Sequence, residues 1–355
     1  MDWKVPTAQK SLGTTRTIIF MNRRELIRNI ISLMPADRLG FWLGNPCPET
    51  WPVYHKYFGT RSEEELRLKL GDDYRWISPQ YFESTYRHPD GKKIFDLGPK
   101  KFHGQPGPLS AAETAGDVEA FDWPNPDYLD FVECLDALRR AGDHYRASGF
   151  WAPFFHDVMD LFGIESYFVK MYTHPDIVRA VTARVGGFYL EANRRFFEQA
   201  GSLIDGYFFG NDFGTQLDLI ISPRHFEKFV LPWFKKFTDQ AHGRGYQVIL
   251  HSCGSVGRVI PALIEAGVDC LHPLQARAKN MDAETLARDF KGKIAFLGGI
   301  DTQHLLVHAS PAEVRDEVRR LKELFGPHWI VSPSHEALLP NVPPQNVAAM
   351  AEAAH

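Results

Sequence analysis

From about residue 145 to the C-terminus, short apolar runs alternate with longer segments of helical period, which limits the chain to a small set of folds. Repeats of this kind pair their strands in parallel, because each crossover helix returns the chain to the same end of the sheet. The predicted strands are Leu39–Leu43, Tyr74–Ile77, Gly149–Pro153, Ile204–Phe209, Gln247–Leu250, Val268–Leu271, Ile294–Leu297 and Trp329–Ser332. Eight is the number that closes a TIM barrel, so the expected fold class is α/β, a (β/α)8 barrel. The later strands follow segments ending in glycine, as in EAGVDCL and FKGKIAFL, where glycine suits the left-handed turn after a helix. His174-Pro175, Ser222-Pro223 and Ser310-Pro311 mark helix starts, since proline fits a first helical turn.

The chain contains no low-complexity linker, and residues 21–355 read as one barrel domain preceded by an N-terminal extension, residues 1–20. Residues 82–122, with HPDGKK and GQPGPLS, break the repeat and read as a hairpin and extended excursion on the barrel mouth. A net charge of -4 with both signs scattered gives no polybasic patch, and no run approaches the roughly 18 apolar residues of a spanning helix. Neither nucleic acid nor membrane is an expected partner. Four cysteines, Cys47, Cys134, Cys253 and Cys270, do not make a disulfide framework in a chain of this size, which points to a reducing cytoplasm. Cys270 lies inside an apolar strand and Cys134 on a helix face; both read as core.

The strongest chemical feature is VILHSCGSVGRVI. His251 and Cys253 stand two residues apart at a strand end, so the period of two sends both side chains to one face. Imidazole and thiolate are both zinc ligands, but zinc needs at least three protein groups. The loop after strand 8, IVSPSHEALLPNVPP, supplies His335 as the expected third. After strand 4 come Asn211, Asp212 and Gln216; Asp212 is open to ligation, to orienting a ligand histidine, to contacting substrate or to capping a helix. His156 after strand 3 is a further catalytic candidate beside Asp212. Trp42 and Asn45 after strand 1, His272 and Gln275 after strand 6 and Asp301 after strand 7 complete the expected substrate-binding rim. The pair Gly298-Gly299 would allow the close approach of another group, such as a phosphate.

Together, ISPRHFEKFVLPWFKKF, LHSCGSV, AGVDCLHPLQ, FLGGIDTQHLL and SPSHEALLPNVPPQNVAAM resemble the uroporphyrinogen decarboxylase superfamily, and in particular its zinc-dependent, corrinoid-linked methyltransferase branch. That resemblance implies zinc on an H-x-C pair, matched by His251 and Cys253, and a further cysteine near the C-terminus, where this chain has His335. It also implies a methyl group moved between a small-molecule donor or acceptor and cobalamin carried on a separate corrinoid protein; homodimers are common in the superfamily. The decarboxylase itself grips an octa-anionic tetrapyrrole through an arginine-rich N-terminal motif. Here GFWLGNPCPETWPVYHKYF holds no arginine, although Asp73 would match that enzyme's catalytic aspartate after strand 2. A decarboxylase and a non-catalytic partner of a corrinoid protein are the alternatives.

Overall fold

The computed structural model describes residues 21–95 and 104–355. The strands are β1 (Gly40–Phe41), β2 (Tyr74–Trp76), β3 (Tyr145–Ser148), β4 (Gly206–Gly210), β5 (Gln247–His251), β6 (Cys270–His272), β7 (Ala295–Ile300) and β8 (Trp329–Pro333). All pair in parallel, in the order β1-β8-β7-β6-β5-β4-β3-β2. The β1–β2 seam is joined by Asp73 N donating to Phe41 O (2.9 Å) and by two carboxylates. Phe41 N donates to Asp73 Oδ2 (3.0 Å) and Leu43 N to Asp72 Oδ2 (3.2 Å), so side chains stand in for ladder partners. The result is a nearly closed (β/α)8 barrel, as the alternation of the sequence implies.

The core follows the period of two. Phe208, Ile249, Cys270, Ala295 and Leu297 point into the barrel, whereas Tyr207, Phe209, Val248, Leu250 and Phe296 pack outward under the helices. The helix Arg23–Ile31 lays Leu26, Ile27, Ile30 and Ile31 on the inner cluster and plugs the N-terminal end of the barrel. Cys134 and Cys270 are both buried, as expected of core residues. Helices begin at Pro175, Pro223 and Pro311, with the Ser222 and Ser310 side chains accepting from His225 N and Glu313 N. No helix among the described residues is long and apolar enough to cross a membrane.

Two expectations need correction. The third strand is Tyr145–Ser148, upstream of Gly149–Pro153. Gly149 has φ +104°, which takes the chain out of the sheet. Arg146, whose Nε lies 3.7 Å from the buried Asp205 carboxylate, makes the true strand look polar in sequence. Among the described residues of the segment 82–122 there is no hairpin. Its described part holds the 3-10 turn Glu83–Thr85 and the short helix Ala115–Glu119, with an isolated antiparallel bridge from Tyr86 to Leu129 beyond it. Phe95 packs on Phe188 and Tyr189, and Leu109 N donates to Leu161 O (2.8 Å), which lays the segment along the outer helices where its apolar groups find aromatic surface. The expected extension, residues 1–20, and residues 96–103 of the excursion lie outside the described residues.

The group that closely approaches Gly298 is the chain's own backbone rather than a phosphate. Its φ is +117°, and a Cβ there would collide with the Pro273 carbonyl after β6. Gly298→Ala is therefore expected to destabilise the barrel by about 2 kcal/mol. A chemical-denaturation midpoint equal to that of the parent protein would refute this packing.

Candidate metal centre at the barrel mouth

His251 is the last residue of β5 and lies in register with Gly210 of β4 and His272 of β6. The missing side chain at Gly210 leaves room for the Trp151 ring, whose centroid is 5.0 Å from that of His251. Cys253 follows on the same face, its Sγ 3.2 Å from His251 Nε2. Asp212 reaches over from the β4 loop, with Oδ1 3.4 Å from His251 Nε2 and accepting from Cys253 N (2.8 Å). Ligand atoms around a tetrahedral zinc, bonded at roughly 2.0–2.3 Å, stand about 3–4 Å apart. Nε2–Sγ at 3.2 Å and Nε2–Oδ1 at 3.4 Å have that spacing, and the three ligand atoms all lie within 4.8 Å of one another.

The other nitrogen of His251 is occupied differently. Nδ1 faces His272 Nδ1 at 3.1 Å and Glu336 Oε2 at 3.5 Å. Both neighbours can accept a hydrogen bond, so Nδ1 keeps its proton and the Nε2 lone pair is left to face Cys253 and Asp212. These atoms on the Nδ1 side also cluster closely, but they include no thiolate, and His272 is fully buried. On the Nε2 side, by contrast, Cys253 and Asp212 are only partly buried.

The electrostatics favour a positive charge at Nε2. Burial by itself would lower the pKa of His251, yet Glu336, Asp212 and Cys253 together raise it well above the ordinary histidine value. Burial pushes the Asp212 carboxyl up, but its contacts with His251 and with Cys253 N hold it well below the usual carboxylate range. His272 is driven the other way, by burial first and then by the charges of His251 and His335, and stays neutral near pH 7. The surroundings of Nε2 thus favour positive charge, and a metal ion binding there would take the place of any proton.

The cavity beside this cluster measures about 440 Å³ and is lined by Gln216, Gln275, Arg277, Asp301, Gln303 and His335 among others. It meets the cluster through His335, whose pKa is raised chiefly by its hydrogen bond with Cys253, and through Gln275, whose Oε1 accepts from Gly254 N (2.7 Å). Beside His251, Trp151 meets Trp76 at a tilt and Trp76 meets Tyr81 edge-on, at centroid separations of 4.9 and 5.2 Å, which makes an aromatic cluster.

The other sequence candidates are placed as follows. Gln216 and Asp301 line the cavity, Asp301 also accepting from Gln303 N (2.9 Å) and lying 3.7 Å from Arg277. His156 is directed at the Asp212 backbone, its Nε2 accepting from Asp212 N (3.0 Å), which makes it a support for that loop. Asn211 spends its amide on Phe155 N and Ala152 O and is buried, and Trp42 and His272 sit inside the barrel, so none of these three is accessible to a substrate. Asn45 braces the β8 loop through its backbone N–H to Glu336 O (2.7 Å). Asp73 precedes β2 rather than following it; it lies at the foot of the barrel, gripped by Arg38 at 2.6 and 2.8 Å. Two groups of the site were not singled out from sequence. Glu336 signals itself only as the neighbour of His335, and Trp151 was hidden by the misplaced third strand.

The family profile "Uroporphyrinogen decarboxylase (URO-D)" matches residues 104–355. Among curated proteins, the uroporphyrinogen decarboxylase of Trichlorobacter lovleyi is 29% identical over 274 residues, covering 70% of this chain and 73% of its own length. That of Geobacter sulfurreducens is 28% identical over 275 residues, with the same coverage. Among solved structures, a methyltransferase from Methanosarcina mazei superposes with a TM-score of 0.63 at 16% identity, over 94% of this chain and 98% of its own; at that identity the likeness concerns the fold.

Proposed function

The chain belongs to the uroporphyrinogen decarboxylase family, and from that premise we propose that it is a zinc-dependent methyltransferase working with a corrinoid carried on a separate protein. The observation that carries this reading is the set of His251 Nε2, Cys253 Sγ and Asp212 Oδ1 at zinc-ligand spacing beside a cavity. When bound there, zinc would supply Lewis acidity towards an ether oxygen or lower the pKa of an entering thiol.

The chain's own residues have defined parts in this reading. His272 Nδ1 is the hydrogen-bond partner of His251 Nδ1, and the Glu336 carboxylate beside it favours a proton there, so Nε2 is left facing outward. Asp212 fixes the Cys253 amide, and His156 fixes Asp212. Trp76, Tyr81 and Trp151 offer flat apolar surface for an aromatic ether or a corrin face, and Gln216, Gln275 and Arg277 offer polar contacts on the other side. The cavity also speaks against an octa-anionic substrate. Among its lining residues Arg277 is the one guanidinium and Asp301 stands next to it, while Arg38 is committed to Asp73 at the far end of the barrel. A tetrapyrrole carboxylate array would lack charge-assisted partners.

Methyl transfer between small ethers or thiols and free cobalamin, followed by the visible spectrum of the cobalt, tests the proposal. Chelation of metal is expected to cut the rate at least about 100-fold, several kcal/mol of lost charge stabilisation, and zinc to restore it. Decarboxylation of uroporphyrinogen that persists in chelator would favour the decarboxylase instead; corrinoid-protein binding with neither reaction would favour a non-catalytic subunit.

A further inference from the structure

Granting the zinc reading above, we infer that the third protein ligand is Asp212 and not His335, which stands outside the coordination sphere as a hydrogen-bond donor facing the substrate cavity. The sequence alone selects His335, because it is the histidine of the β8 loop. Atomic positions select Asp212. Its Oδ1 is 3.4 Å from His251 Nε2, a spacing that a shared tetrahedral ion requires, and among the described residues the potential ligands that gather with His251 and Cys253 within 4.8 Å of one another include Asp212 and not His335.

Hydrogen bonding leads to the same choice. Ala337 N donates to His335 Nδ1 (3.1 Å), so that nitrogen uses its lone pair on the backbone, and in a neutral ring the proton sits on Nε2. A protonated Nε2 has no lone pair for a metal, but it can donate a hydrogen bond, and Cys253 is the neighbour whose influence on the ring is largest. Asp212, by contrast, is braced from behind by His156 on its backbone N–H, and its carboxylate is already turned to the His251–Cys253 pair.

Charge gives this choice a consequence. A histidine, a thiolate and a second histidine would leave a bound divalent ion with a net charge of +1; exchanging the second histidine for a carboxylate brings the site to zero. A neutral site bound by nitrogen, sulfur and oxygen is harder than one with two thiolates and better suited to an oxygen-bearing substrate. His335, lining the cavity and touching Cys253, becomes the residue that orients that substrate beside the ion.

The test uses Zn(II) and Co(II) with the full-length protein. In competition with a chromophoric chelator, Asp212→Ala is expected to weaken Zn(II) by more than about 100-fold, beyond what loss of an outer-shell partner does, and His335→Ala by about 10-fold, as for such a partner. Since Asp212→Ala also removes the acceptor of Cys253 N, Asp212→Cys serves as a second variant. Its Co(II) form should show clearly stronger near-ultraviolet thiolate-to-cobalt charge transfer than the parent, which has one thiolate. Equal losses for the two alanine variants, or an unchanged Co(II) spectrum in Asp212→Cys, would overturn the assignment. Parent protein that binds neither ion would sink the zinc reading together with it. Metal held through Asp212 in a protein that moves no methyl group would sink only the methyltransferase reading.

Discussion

His251→Ala is expected to lower the affinity for zinc by more than about 100-fold, the upper end of what loss of an outer-shell partner costs. The expectation follows from the position of the ring. Its Nε2 is the atom shared by the contacts to Cys253 and Asp212, and its Nδ1 is the one anchored by Glu336 and His272. Removing the imidazole takes away a ligand and also the partner that both Asp212 and Glu336 approach, one at each ring nitrogen. Chelator competition and metal analysis after dialysis measure the effect. An affinity equal to that of the parent would mean that any ion bound by this protein sits elsewhere.

Asp73→Ala is expected to cost about 3 kcal/mol of stability, the range seen when one partner of a buried ion pair is deleted, while leaving zinc affinity unchanged. The Asp73 side chain is fully buried; it accepts two bonds from Arg38 and one from Phe41 N, and so closes the β1–β2 seam. Without it, the Phe41 amide loses its partner and Arg38 faces the barrel foot unpaired. Urea unfolding gives the stability and chelator competition the affinity. A variant as stable as the parent yet devoid of activity would instead return Asp73 to a catalytic role.

The barrel and the pairing of His251 with Cys253 are legible because both rest on periodicity. Alternation of apolar runs and helices implies parallel strands, and two residues of spacing at the end of β5 place His251 and Cys253 on one face. What failed was whatever depended on where a side chain stops. Trp42, Asn211 and His272 lie at the mouths of their strands, as expected, but point into the barrel or into backbone bonds. A linear sequence does not separate these from Gln216, Gln275 and Asp301, which reach the cavity. The choice between His335 and Asp212 has the same origin. A β8 loop made stiff by prolines fixes where His335 begins, whereas the lone pair that remains free depends on the Ala337 amide two residues on. β3 was misplaced because Arg146, an ion-pair partner of Asp205 at the barrel foot, interrupts its apolar pattern.

The most direct measurement is zinc stoichiometry in purified protein, by mass spectrometry of the metal, with His251→Ala and Cys253→Ala in parallel. The account predicts about one zinc per chain in the parent, as for a single site with three protein ligands, and almost none in either variant. Parent protein free of zinc after exposure to excess ion, or variants that retain it fully, would contradict the account.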